Sequence, residues 1–348
     1  LLTFEQKLKS GMIRKGYTPE FANQLFNQIK GFGGYGFPES HSASFALLTY
    51  FSAWLKCHHP AAFYVGLLNS QPMGFYSPSQ LIQDARRHNV LVLPIDVNHS
   101  DWDHQLLSSE NATKPSIRLG LRLIKGLSNN VARRIVHARQ KQTFRHISDL
   151  RIRSSLNRRD IESLTSADAL ASLIGNRYKS HWQAMALEKD TPLIFPNWEF
   201  KDDISLPKPS EEEEVAADYK TTGLTLRAHP LALLRTKYPF NKCKCQSDIG
   251  RLDNNRFIRV AGLVTCKQRP GTASGVVFLT LEDETGNINV IVWPTIQEQY
   301  RKTLMTAQLI LVKGAVESQN GVVNVIASAL EDYSKHLNQL TVDTRNFH

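Results

Sequence analysis

Apolar positions recur at spacings of three and four over the opening stretch, with Phe21, Leu25, Phe26 and Ile29 on one helical face. Thr18-Pro19-Glu20 ahead of them reads as a helix start, and Gly31 reads as its stop. The text GFGGYGFPES that follows reads as a glycine-rich loop, with Ser40 capping a second helix that runs toward Pro60. Ser77-Pro78 opens another helix, ending near Arg86-Arg87-His88. The apolar runs VLVLPIDV at 90–97 and SIRLGLRLI at 116–124 read as buried strands. From 125 to 187 the pattern is helical and basic. At 188–218 it breaks: Pro192, Pro196, Pro207 and Pro209 are followed by Glu211 to Glu214, the composition of a linker or a loosely ordered crossover. A short helical piece within 219–240 ends on Tyr238-Pro239-Phe240.

From 257 onward the period becomes two. FIRVAGLVT, VVFLTLEDE and NINVIVW read as three strands, PTIQEQYRKTLM as a helix, and QLILVKGAVES and GVVNVIA as two more strands. Strand, strand, strand, helix, strand, strand is the order of an OB-fold barrel. Turn chemistry fits, with Glu284-Thr285-Gly286-Asn287 between strands two and three and Gln319-Asn320-Gly321 between four and five. The pattern predicts an α+β multidomain chain: a helical region at 1–115, a helix-hairpin-helix region at 116–187, a linker at 188–256, the barrel at 257–333 and a tail at 334–348.

Charge sharpens this picture. The 348 residues carry 42 Lys plus Arg against 32 Asp plus Glu, a net charge of +10, which favours an anionic partner such as nucleic acid or a membrane surface. With 41% hydrophobic residues the chain can build cores, and its length suits about two or three domains. No run reaches the roughly eighteen apolar residues of a membrane span. The opening LLTFEQKLKSG lacks a signal-peptide core and an initiator Met, and reads as the start of a fragment. Four Cys do not make a disulfide scaffold, so a reducing, cytoplasmic setting is expected.

The anionic partner has candidate sites. LIKGLSNNVARRIVHAR at 123–139 reads as helix, tight turn at Lys125-Gly126-Leu127-Ser128, and second helix. In such a hairpin the unpaired N–H groups of the turn and helix start point at a phosphate, and Arg133 and Arg134 add charge. Ser128 stands where the usual hairpin has a second glycine. SLNRRDIESLTSADALASL at 155–173 resembles a second copy without the glycine turn, and reads as a structural partner exposing Arg158 and Arg159. On the barrel, Lys267 and Arg269 in the first loop and Phe278 and Trp293 on the strands are candidates for single-strand binding, which pairs basic grooves with stacking rings. From sequence each ring reads equally as a core side chain. Ser40, His41, Ser42 and Ser44 cluster at a helix start, where hydroxyls and amides suit phosphate; plain capping is the alternative. Cys243-x-Cys245 and Cys57-His58-His59 have the wrong spacing for a metal site, and Asp96, Asp101 and Asp103 read as turn formers. No phosphate-binding GxxxxGK[ST] loop or GxSxG elbow occurs.

The stretch KGFGGYGFPESHSASFALL, continuing through WLKCHHPAAFYVGLLNSQPMGFYSPSQLIQDARRHNVLVLPIDVNHSDWD, resembles the fingers of bacterial C-family DNA polymerases. NSQPMGFYSPSQLIQDARRH, DVNHSDWD and the closing TRNFH are similar to its error-prone, damage-inducible branch. The resemblance implies a C-terminal fragment of a nucleotidyltransferase acting in translesion synthesis, with primer-template DNA and an incoming deoxynucleotide as partners. Catalysis by two Mg²⁺ on palm aspartates is implied for the full-length enzyme, with those ligands upstream of Leu1, so this fragment alone is expected to be inactive. Ser40, His41 and Ser42 match the motif that handles nucleotide and template, although Glu39 stands where the replicase often has Lys. The sliding clamp and a translesion accessory protein are further implied partners, with Leu193, Ile194 and Phe195 as the clamp-binding candidates. A non-enzymatic nucleic-acid-binding or scaffold protein built from the same modules is the rival reading.

Overall fold

The structure is a computed structural model that describes residues 2–35, 39–73, 76–108, 114–186, 208–270, 275–319 and 321–337. It divides into two compact units, Leu1–Phe63 and Tyr64–His348.

The first unit holds α1 (Leu2–Arg14), α2 (Pro19–Tyr35), α3 (Glu39–His58) and the start of α4 (Pro60–Asn69). Phe26 and Ala22 on α2 are buried, and Lys9 of α1 lies 4.9 Å above the Phe26 ring. Two expectations change here. α2 does not stop at Gly31 but continues to Tyr35, because glycine lowers helix propensity without forbidding helical dihedrals. α3 begins at Glu39, so Ser40 lies inside the helix rather than at its cap. α3 leaves Phe45, Leu48, Phe51 and Leu55 exposed along its length.

In the second unit, α5 (Pro78–Arg87) starts at the expected place, where Ser77 and Gln80 form a reciprocal capping box. Three short strands follow: β1 (Val92–Leu93), β2 (Gln105–Leu107) and β3 (Ser116–Arg118), in the order β1-β3-β2. Both predicted runs are shorter than their apolar text. After Arg118 the backbone leaves the sheet, since the Leu121 and Arg122 N–H groups donate to the carbonyls of Asp101 (2.8 Å) and Trp102 (3.0 Å). A single 3-10 turn, Leu121–Leu123, therefore stands where a helix was expected before the first hairpin.

Five helices then fill the stretch that reads as helical: α6 (Asn129–Lys141), α7 (Ile147–Arg153), α8 (Arg158–Ser166), α9 (Ala171–Ile174) and α10 (Arg177–Ala186). The supposed linker contains an element. Glu211 to Glu214 form the first turn of α11 (Glu211–Thr221), where carboxylates favour the positive end of the helix dipole and Ser210 with Glu213 builds a capping box. α12 (Pro230–Leu234) and α13 (Gln246–Ile249) lead to the barrel.

β4 (Phe257–Gln268), β5 (Val277–Glu282), β6 (Asn287–Val292), β7 (Leu309–Gln319) and β8 (Val322–Asp332) close in the order β4-β5-β6-β8-β7, with α14 (Pro294–Gln299) and α15 (Arg301–Thr306) between β6 and β7. The five strands and the helical segment after the third follow one another along the chain as the pattern predicts. Ile258, Val260, Leu279, Val290, Val312 and Val325 fill the interior. Ala261, Leu263, Leu309 and Leu311 face outward and are covered by Val215, Tyr219, Leu231 and Phe240. β4 is thus buried on both faces along its middle, which is why VAGLV reads as one apolar run.

Candidate nucleic-acid interface

The two hairpins prove to be structural equivalents twenty-nine residues apart. In the first, Gly126 takes φ +86°, Leu127 is buried and Ser128 caps α6 by accepting the Val131 N–H. In the second, Ser155 takes φ +49°, Leu156 is buried and Asn157 caps α8 by accepting the Asp160 N–H. A hydroxyl-bearing residue thus adopts the left-handed turn that glycine adopts in the first copy. The hairpins also face each other. A Cβ on Gly126 would lie 3.5 Å from Ser163 Oγ of α8. At the matching position of α6, Arg134 donates to the carbonyls of Ser154 (2.9 Å) and Ser155 (3.2 Å).

Their amides are used differently. In the second hairpin the Ser155 and Leu156 N–H groups donate to Ile152 and Arg151 carbonyls, and the Asn157 N–H donates to the Asp160 carboxylate at 3.1 Å. A carboxylate of the chain itself occupies the anion position there. In the first hairpin Leu127 N–H donates to Ile124 O and Lys125 N–H to Thr221 O (2.9 Å). Among the described residues no acceptor meets the N–H groups of Gly126 and Ser128, and the residue matching Asp160 is apolar Val131. Arg133 is exposed on α6. Lys125 Nζ lies 3.5 Å from the Tyr219 carbonyl. Arg158 is solvent-facing and pairs with Glu162 at 2.8 Å.

The second hairpin is anchored by a largely buried ion network. Arg177 of α10 pairs with Glu214 and, at 2.6 Å, with Asp218 of α11; Arg227 reaches Asp168 at 2.8 Å, Glu214 at 3.0 Å and Asp218 at 3.4 Å. Burial pushes the Asp168 carboxyl up to about 6, with Glu214 and Asp218 adding to the rise and Arg177 and Arg227 opposing it. An ordinary carboxylate value, 3.8, describes the unfolded chain, so the folded state holds this proton more tightly. Asp168 therefore favours folding below pH 3.8, and that contribution is lost as the pH rises to about 6. Asp168→Asn is expected to flatten the fall in stability over that window, measured by urea unfolding at stepped pH.

On the barrel, β5 and β6 present an outer face. Phe278 pairs with Ile291, Thr280 with Asn289 and Glu282 with Asn287. Phe278 and Trp293 are 39% and 50% exposed, so neither ring is buried in the barrel interior. Asn289 and Asn324, register partners across β6 and β8, extend this face; they were missed, although alternation with inward Ile288, Val290 and Val292 carries the signal. Lys267 lies along α15, its Nζ 3.4 Å from the Leu304 carbonyl. Arg269 sits at the rim, its guanidinium 3.5 Å from where a Cβ on Gly275 would be.

In the first unit, His41 is exposed with its ring 4.5 Å from that of Phe45, and Ser42 is half-buried. Ser40 lies on the first turn of α3. Leu193, Ile194 and Phe195 fall outside the described residues. The carboxylates read as turn formers do that work or pair: Asp96 accepts the Asn98 N–H at 2.7 Å, Asp101 pairs with Arg139 and Asp103 with Arg122. Burial raises the Cys243 and Cys245 thiols to about 11. Among the described residues no group of three or more His, Cys, Asp or Glu is arranged to hold a metal ion, and no helix is long and apolar enough to cross a membrane.

Two family models match: a helix-hairpin-helix motif over residues 89–180 and an OB-fold nucleic acid binding domain over 258–333. Along its whole length the chain is 54% identical to a protein of Saccharophagus degradans and 54% identical to one of Teredinibacter turnerae, covering 34% and 35% of those proteins. A protein of Methylococcus capsulatus is 49% identical over 99% of the chain, which covers 34% of it. Each of the three is named an error-prone DNA polymerase. The chain spans about a third of the length of these curated relatives.

Proposed function

We propose, for a chain homologous along its whole length to a third of the error-prone DNA polymerases, that it is the part of such an enzyme that grips DNA. The observation that carries this is the difference between the two hairpins. Equivalent turns end in equivalent caps, yet the second is closed by its own Asp160 carboxylate while the first offers the Gly126 and Ser128 amides at the start of a helix that also carries the exposed Arg133. Backbone amides at a helix start and a guanidinium on the same helix suit a DNA phosphate, contacted without regard to sequence. The β5–β6 face, with Phe278 and Trp293 as stacking rings and Arg269 at its rim, suits the single-stranded template beyond the duplex. His41 and its neighbours Ser40 and Ser42 are assigned to nucleotide and template by the fingers resemblance.

The same reading assigns the catalytic carboxylates and their Mg²⁺ to a part of the polymerase outside these residues. On their own these residues bind primer-template without extending it. It also assigns synthesis past damaged template to the whole enzyme and clamp contact to Leu193, Ile194 and Phe195. A titration of labelled duplex against salt tests the hairpin reading. Arg133→Ala is expected to reduce the slope of log K against log salt by about 0.9, the value for one phosphate contact, and Arg158→Ala to leave it unchanged. Equal effects of the two variants would remove the distinction on which the reading rests.

A further inference from the structure

The barrel carries a second surface of the same chemistry, on strands that the hairpins and the β5–β6 face do not use. Phe257 and Arg259 lie two residues apart on β4 and so share its outer side, since Ile258 and Val260 between and after them line the interior. Their register partners on β7 are Ala315 and Lys313. Arg259 and Lys313 are therefore directly opposite one another, an arrangement that disfavours the sheet. Glu331 of β8 answers Lys313 at 2.5 Å and accepts the Tyr333 hydroxyl at 3.0 Å, so this carboxylate is already engaged. A further segment adds more positive charge. The Lys244 N–H donates to the Arg259 carbonyl at 2.8 Å, which holds Lys244 beside β4 at the end of the 238–244 segment. There Lys242 Nζ lies 5.4 Å from the Tyr238 ring centroid. The two rings of this surface, Phe257 and Tyr238, are 63% and 69% exposed.

Four cations, two carboxylates and two exposed rings make this surface; Glu331 answers Lys313, Glu317 lies exposed beyond Ala315 on β7, and the balance is positive. We infer that the outer side of β4 and β7, with the adjoining 238–244 segment, is a second track for single-stranded nucleic acid, with phosphates on Lys242, Arg259 and Lys313 and unstacked bases on Phe257 and Tyr238. Exposed rings beside spaced cations favour an unpaired strand over a duplex, whose bases are already stacked. The β4–β7 seam lies across the barrel from β6, so the two faces can be emptied separately by mutation. The inference rests on the proposed DNA-gripping role and extends it to a surface that role does not require.

The test is fluorescence anisotropy of a labelled twenty-nucleotide oligothymidylate with the full chain over a salt series. Lys242→Ala with Arg259→Ala is expected to lower the slope of log K against log salt by about 1.4, two single-strand contacts at about 0.7 each. Phe257→Ala is expected to weaken binding about tenfold, the order of one lost base stack. Phe257→Leu serves as the second variant, retaining apolar bulk without a ring, should the alanine lower the melting temperature. Phe278→Ala with Trp293→Ala reports the other face independently. If that pair weakens binding while the β4 variants leave affinity and slope unchanged, the second track is overturned and the proposed function stands. If the unaltered chain shows no salt-dependent binding of the strand, both fall. If polyglutamate binding is lost in the Lys242 and Arg259 variant while strand binding is kept, the surface belongs to an acidic protein and the strand assignment is overturned.

Discussion

Gly314→Ala is expected to lower the stability of the barrel by about 3 kcal/mol, at the upper end of what overpacking costs. Gly314 sits on β7 where the β7–β8 register shifts next to Lys313. A Cβ there would lie 2.2 Å from the Ile326 carbonyl oxygen and 2.9 Å from its carbonyl carbon. The obstacle is backbone, and it has little freedom to move, because β8 is held between β7 and β6 and Ile326 is itself paired with Ile291. Both candidate strand-binding faces depend on the closed barrel, so oligothymidylate affinity should fall with stability. Urea unfolding followed by tryptophan fluorescence would measure the loss. A change below about 1 kcal/mol would mean that β8 shifts to admit a methyl group at little cost.

Arg177→Met is expected to cost about 3 to 5 kcal/mol, the range for removing one partner of a buried ion pair. Its side chain is 5% exposed and its guanidinium meets Glu214 and Asp218, with a further bond of 3.2 Å to the Glu214 carbonyl. Without it the two carboxylates keep Arg227, whose side chain is 37% exposed and already pairs with Asp168, and Asp218 keeps the Thr225 hydroxyl at 2.7 Å. The methionine fills the volume, so the loss reports stranded charge rather than a cavity. Adding Glu214→Gln should recover part of it, since the two residues act through one contact. The same variant makes a second, independent readout. Arg177 opposes the rise of the Asp168 carboxyl, so the pH midpoint of the stability curve should move upward in Arg177→Met. An unmoved midpoint with an unchanged stability would show that Arg227 alone holds the network.

Much of the architecture follows from spacing. The barrel strands alternate apolar and polar residues with turn residues between them, and period two admits few other arrangements. Ser77-Pro78 with Gln80 specifies a helix start through local hydrogen bonds alone, and α5 begins there. Where local signals were ambiguous the reading missed. Gly31, Gly33 and Gly34 suggested a break, yet α2 continues through them to Tyr35. A run of glutamates beside prolines suggested a linker, yet in a first turn those charges stabilise α11. SIRLGLRLI suggested one long strand, yet hydrogen bonds to Asp101 and Trp102 end β3 at Arg118.

The candidate site divides along the same line. Residue pattern alone determined the succession of strands in the barrel, the hairpin text around Gly126, the positive charge and the resemblance to error-prone polymerases, because each is encoded by neighbours in the chain or by the residue types themselves. Tertiary structure alone decided which groups remain open to a ligand. It spent Arg134 on the carbonyls of the second hairpin, closed that hairpin with Asp160, left the amides of Gly126 and Ser128 without an internal acceptor among the described residues, and turned Phe257 and Arg259 to the same outer side as Lys313. Those outcomes depend on partners tens of residues away, and hydrogen-bonding capacity used inside the fold is no longer available to DNA.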